Sequence, residues 1–346
     1  MTFLDEIQQQ PNALQTVTDA YFGSRQRQKE VAHILRSTSA QRFIFTGMGS
    51  SLFASHIAVH YLQLHGIAAW VIEANELRHF YQPLLDKETI LVAVSQSGES
   101  EEVVQLCAEV QQRVAALIVL SNQPGSRLAR FGNTQLWLEA GEEKMTASKT
   151  YTNTIAVLLF LASIILHDEQ DVFANLHVQL TRSVEVMRQT ITEFASLRER
   201  LVQELDPRPF LPVIGSGASY ATTLQAECII EETCKSFSAH YTTGQYIHGP
   251  IELIDERFAA IVLDFNTQTR DEVDRLMKSI GAFGGKVLWI TNRRPDPQSK
   301  SIPLHISYPD DEITSPLIEI IPIELLVDAL GRARNLQPGV LTRVVK

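Results

Sequence analysis

Three serines in the stretch ILVAVSQSGESEEVVQLCAEV, namely Ser95, Ser97 and Ser100, stand between an apolar run and a helical pattern, where hydroxyls can hold an anion. Ile90 to Val94 reads as a buried strand, while Val103, Val104, Leu106, Cys107 and Val110 recur at helical spacing. The serines therefore fall in a strand-to-helix turn. The first N–H groups of a helix have no partner within it, and its dipole adds roughly half a positive charge there. Phosphate suits that end. The competing reading is that one serine caps the helix and the others keep the loop polar, since serine is a favoured N-cap anywhere.

The elements around this turn repeat. Strand-like runs ending in Gly/Ser-rich turns occur at RFIFTGMGSS, AAWVIEAN, ETILVAVSQSGES, AALIVLSNQPGS and TQLWLEAG, with helical patterns such as SLFASHIAVHYLQLHG between them. After a polar helical stretch from Asp168 to Glu204 and the breaker DPRP, the rhythm resumes with PFLPVIGSGAS, FAAIVLDF, KVLWITNRRP and LHISYP. GMGSS at Gly47 and GSGAS at Gly215 each follow the first strand of a series, which predicts two related α/β lobes. Parallel sheets bind ligands at their carboxyl ends, so the turns at Gly47, Ser95, Ser121 and Gly215 are the places for a site. Glu73 follows the second strand, but GMGSSL lacks the third glycine of a dinucleotide turn, and no nucleoside-triphosphate loop is present. Hydroxyls and bare N–H groups suit a phosphate monoester on a modest organic body.

Composition narrows the classes further. With 346 residues, 45% hydrophobic and 20% charged, the chain reads as globular, with one large domain or two ordinary ones. A formal charge of −10 argues against nucleic acid, which requires a basic face. Cys107, Cys228 and Cys234 fit neither a disulfide framework nor a zinc site, so a reducing cytoplasm is expected. The start MTFLDEIQQQP does not resemble a secretory signal, and the longest apolar run, IAVLLFLASIIL, is too short to span a bilayer. It reads as a core helix, and no membrane partner is expected. No metal is expected either, because the histidines and acids form no recognisable ligand spacing.

The ordered set FLDEIQQQPNAL, GMGSS, EANELR, SQSGES, SNQPGS, AGEE with TASKTYT, GSGASY and TTGQYIHGPIELI resembles the sugar isomerase (SIS) domain family, in particular the isomerase half of glucosamine-6-phosphate synthase. The resemblance runs nearly end to end. It implies an α/β fold of two tandem SIS domains, each a parallel-sheet αβα sandwich of flavodoxin-like type. The expected divisions are a helical segment at 1–34, a first domain at 35–167, a connecting helix at 168–206, a second domain at 207–330 and a tail at 331–346 reaching the active site.

Carried onto these residues, the resemblance implies that Ser95, Gln96, Ser97 and Ser100 hold a sugar 6-phosphate, with Gly49, Ser51 and Ser148 touching the sugar. It assigns the chemistry to Glu232 and His248. The sixteen-residue step between them matches the family's step from base to ring-opening histidine, which is the reason to prefer Glu232 over its neighbour Glu231. A carboxylate beside two adjacent carbons can move a proton between them, a contribution of about 10² to 10⁴ in rate. A histidine can carry a proton between ring oxygen and anomeric hydroxyl. In the family the other subunit lends this histidine, so a homodimer with a shared active site is expected.

The carboxyl tail departs from the synthase. Where that enzyme has a Schiff-base lysine, NLQPGVLTRVVK has Arg343, which stays protonated and cannot form the imine but can bind a hydroxyl or phosphate. Lys346 is the other cation at hand, and the ending TRVVK is closer to the AgaS-like aminosugar-phosphate deaminase/isomerase members. No cysteine follows Met1 and no glutaminase domain precedes the SIS pair, so glutamine-dependent synthesis is not expected. The expected activity converts an aminosugar 6-phosphate to a ketose 6-phosphate and ammonia without a cofactor. The alternatives are a fructosamine-6-phosphate deglycase, an aldose–ketose isomerase without amine, and a sensor that binds a phosphosugar without turnover.

Overall fold

Two sets of short apolar runs form two parallel sheets in a computed structural model that describes residues 1–166, 170–205, 210–294, 301–311 and 313–343. Asp168, the DPRP breaker at 206–209 and Lys346 lie outside the described residues. The chain divides into a first unit, Gln10–Glu143 with Lys149–Arg182, and a second unit, Met1–Gln9 with Lys144–Ser148 and Ser183–Lys346.

In the first unit the strands are β1 (Arg42–Thr46), β2 (Ala69–Val71), β3 (Thr89–Val94), β4 (Ala116–Ser121) and β5 (Thr134–Trp137), in the order β2-β1-β3-β4-β5. All are parallel, with Ile44 opposite Leu91 and Val92 opposite Ile118. Every residue of β3 and β4 is buried, as expected of strands covered on both faces. Val103, Leu106 and Cys107 of the helix Glu101–Val110 join Leu91, Ala93, Leu117 and Val119 in the core. All but the last residue of the run IAVLLFLASIIL lies within the buried helix Lys149–Ile165. Among the described residues no helix is long and apolar enough to cross a membrane.

This strand order fixes where a ligand can enter. The chain leaves β1 toward β2 on one side and returns to β3 on the other, which makes the carboxyl ends of β1 and β3 the topological switch point, the usual place for a ligand in such sheets. Those turns carry GMGSS and SQSGES.

The second unit repeats the plan with β6 (Val213–Ile214), β7 (His240–Tyr241), β8 (Ala259–Asp264), β9 (Lys286–Thr291) and β10 (Ile302–His305). Read from β7, the order β7-β6-β8-β9-β10 matches that of the first sheet. The last strand begins earlier than the run LHISYP implies. It includes Pro303, which an edge strand tolerates because one side of its backbone needs no ladder partner. β7 on the opposite edge has only two residues, too few to show alternation in the sequence.

The helix Ser315–Ala333 of the second unit is buried along most of its length and encloses Glu319 completely. Its carboxylate accepts from Ser219 Oγ (2.7 Å), Ser315 Oγ (2.8 Å) and Thr222 Oγ1 (2.9 Å). Burial pushes Glu319 up from 4.5 to about 7, against the pull of those hydroxyls. The native state therefore keeps a proton that the unfolded chain loses across that window. This group's contribution is greatest below pH 4.5, falls as pH rises toward 7, and is constant above it. Glu319→Gln is expected to remove that slope, which for a shift of this size amounts to about 3 kcal/mol between pH 4.5 and pH 7. Denaturant titrations of both proteins at pH 5 and pH 8 check this; equal pH slopes would contradict it.

Candidate active site

In the first unit Ser95 extends β3, its N–H donating to Leu120 O at 3.1 Å. The chain then turns sharply. Gly98 N–H donates to Ser95 O (3.0 Å) and is also 3.1 Å from Ser95 Oγ, and Ser97 Oγ accepts from Glu99 N–H (3.1 Å). Ser95 Oγ lies 3.0 Å from Ser100 Oγ. Ser100 holds the N-cap position of the helix Glu101–Val110, yet its side chain makes no capping bond. The plain capping reading therefore does not hold for Ser100, whose hydroxyl is paired with Ser95 instead. Ser95 is buried, whereas Gln96, Ser97 and Ser100 are half-buried and reachable.

Glutamates crowd the start of this helix, but an arginine engages the nearest two. Arg127 donates through its N–H to Glu99 (2.9 Å) and through Nη1 to Glu101 (2.6 Å), and hydrogen bonding from Arg127 holds the Glu101 carboxyl below its usual range. A groove of about 530 Å³ opens beside Gln96, lined by Asn122, Gln123, Trp137 and Glu142 among others. Gly49 is exposed at the N-cap of the helix Ser50–Leu64, and Ser51 is half-buried in its first turn. Glu73 caps the helix Ala74–His79, accepting from Asn75 N–H (3.1 Å) and Glu76 N–H (2.9 Å).

The second unit carries the acid. The helix Ser219–Ile229 widens into a π turn, Ile230–Cys234, which Lys235 ends in the left-handed conformation at φ 53°. Such turns recur at functional sites. Glu232 sits in it half-buried, while Glu231 is exposed. The hydroxyl of Thr146 donates to Glu232 Oε2. The thiol of Cys228 also bonds to this carboxylate; burial, then the charge of Glu232, push the thiol up to about 12, so it stays a neutral donor. Thr146 opens TASKTYT, the motif from which only Ser148 is expected at the site, and Cys228 lies in no motif.

His248 ends the short helix Thr243–Ile247 with its side chain exposed, and Arg343 is exposed near the end of the described residues. Ser148 is fully buried. Thus the structure gathers Ser95, Gln96, Ser97 and Ser100 into one turn of the first unit, while Glu232, His248, Ser148 and Arg343 belong to the second.

The two sheets differ at the matching rim. Where β3 leads into Ser95, β8 ends in Asp264, a buried carboxylate that accepts from Arg293 Nε (2.7 Å), Trp289 Nε1 (3.2 Å) and Thr291 Oγ1 (3.2 Å). Burial raises its pKa and Arg293 opposes the rise. That rim already holds an anion of its own. Among the described residues no group of three or more His, Cys, Asp or Glu is placed to hold a metal ion.

Comparison with known proteins agrees with this architecture. The glutamine–fructose-6-phosphate aminotransferase (isomerizing) of Thermococcus kodakarensis is 26% identical over 342 residues, covering 97% of this chain and 56% of that protein. The chain spans about half the length of the curated relatives it matches. Among solved structures, the C-terminal domain of glucosamine-fructose-6-phosphate aminotransferase from Francisella tularensis superposes with a TM-score of 0.83 at 20% identity, covering 96% of each chain. Glucosamine-6-phosphate deaminase from Thermotoga maritima gives 0.75 at 20% identity, covering 100% of this chain and 98% of that one. At such identities these structures speak for the fold alone. The SIS domain profile matches residues 38–164 and 210–330, one segment for each sheet, and the chain therefore belongs to the SIS domain family.

Proposed function

We propose that the chain is a phosphosugar isomerase that acts on 6-phosphorylated aminosugars and releases ammonia. The observation that carries this reading is the serine turn at the first unit's topological switch point, where half-buried hydroxyls meet a helix start that no Ser100 side chain caps. In the proposed reaction the phosphate docks on Ser95, Gln96, Ser97 and Ser100, and Gly49 and Ser51 line the sugar; Ser148, fully buried, is left out of direct contact. His248 carries a proton from the anomeric hydroxyl to the ring oxygen, opening the ring. Glu232 then removes the proton from C2 and returns it to C1. The enolamine becomes a ketimine, water adds at C2, and ammonia leaves, so aminosugar phosphate plus water gives ketose phosphate plus ammonia.

Arg343 remains protonated, so its part is to bind a hydroxyl or phosphate rather than to form an imine. The proposal includes a homodimer in which the exposed His248 of one chain serves the site of the other. It is tested by assaying ammonia release and sugar products from glucosamine 6-phosphate, galactosamine 6-phosphate and fructosamine 6-phosphates. Ammonia with a ketose 6-phosphate from an aminosugar is expected. Release of a free amine from a fructosamine alone would make the chain a deglycase, and tight binding without product over hours would make it a sensor.

A further inference from the structure

The segment Lys144–Ser148 is held at several points, all within the second unit. The buried carboxylate of Glu6 accepts from the N–H groups of Lys144 (2.6 Å) and Met145 (3.2 Å). Gln225 Nε2 donates to Ala147 O at 3.3 Å. Between these points Thr146 is buried and makes two different bonds: its N–H donates to Gly339 O at 3.0 Å, and its hydroxyl donates to Glu232 Oε2. A hydroxyl has one proton to give, and here it goes to the carboxylate.

We propose that Thr146 is a positioning residue for Glu232, fixing Oε2 so that Oε1 carries the migrating proton, and that Gly339 sets Thr146 in register. This rests on the reading of Glu232 as the base. The tail's part follows from sterics. Gly339 lies at φ +77°, and a Cβ there would stand 2.8 Å from that of Met145 and 3.0 Å from that of Phe3. A side chain at 339 would therefore displace the backbone beside Thr146 and, through the hydroxyl, turn the carboxylate. A base moved by about 1 Å can lose 10²-fold in rate without any change in substrate affinity.

The test uses the full-length protein. Thr146→Val keeps the shape and deletes the donor; its kcat is expected to fall about 10- to 100-fold with KM within about twofold. Thr146→Ser should recover most of the loss, and Gly339→Ala should lower kcat in a way that does not add to Thr146→Val. Wild-type kcat in Thr146→Val, equal impairment of the serine and valine variants, or full additivity would overturn the proposal. Glutamate labelled with ¹³C at the carboxyl supplies a readout independent of turnover. The Glu232 signal, assigned by its loss in Glu232→Gln, should move in Thr146→Val and return in Thr146→Ser. An unmoved signal also overturns the positioning role. Should Glu232→Gln retain full turnover, the base assignment fails, whatever this signal does.

Discussion

Glu232→Gln is expected to lower turnover of a 6-phosphorylated aminosugar by about 10² to 10⁴, the range that a positioned general base supplies. Glutamine keeps the shape of the side chain and can still accept from Thr146, so melting temperature and affinity for the sugar phosphate should stay near wild type. The loss therefore falls on kcat. Calorimetry on the variant separates the two quantities. If His248 serves the partner's site, mixing Glu232→Gln with His248→Ala chains should restore activity, because about half of the sites in a mixed dimer hold both native residues. Full turnover by Glu232→Gln would remove this residue from the mechanism, and silence in the mixture would remove the shared site.

The second large effect is expected at Gly98. Its φ of +66° favours glycine, and a Cβ would overlap Ser126 and lie 2.9 Å from Ser121 Oγ. Leu128 N–H also donates to Gly98 O (3.0 Å), which pins the turn to the loop beyond β4. Gly98→Ala combines a left-handed backbone cost of about 1–2 kcal/mol with overpacking of about 1–3 kcal/mol. A destabilisation of about 2–5 kcal/mol follows, together with a loss of affinity for glucosamine 6-phosphate of about 10- to 100-fold as the hydroxyls and helix N–H groups separate. Denaturant unfolding and calorimetry measure the two effects. Unchanged affinity in a folded Gly98→Ala protein would dissociate this turn from the phosphate.

What the sequence displays depends on how local the cause is. Strands β1, β3, β4, β8 and β9 are continuous apolar runs ending at polar turns, and both signals lie within a dozen residues. β7 has two residues and no period, while β10 accepts a proline only because it lies at an edge, a fact of the assembled sheet. The serine turn can be read from spacing. That Ser100 turns its hydroxyl to Ser95 instead of capping its helix cannot, because both bonds are open to an N-terminal serine. Thr146 is the clearest case. Its partner Glu232 is 86 residues away, and within TASKTYT nothing distinguishes it from the hydroxyls around it.

The interleaving of the two units has a consequence for anyone wishing to take the molecule apart. The polypeptide passes from one unit to the other after Gln9, Glu143, Ser148 and Arg182. A simple tandem of two units could be severed by one cut, but this chain cannot. Excising residues 183–346 leaves Glu6 and Thr146 with the discarded piece, and a chimaera that borrows the distal half of a relative must also import two short stretches from upstream.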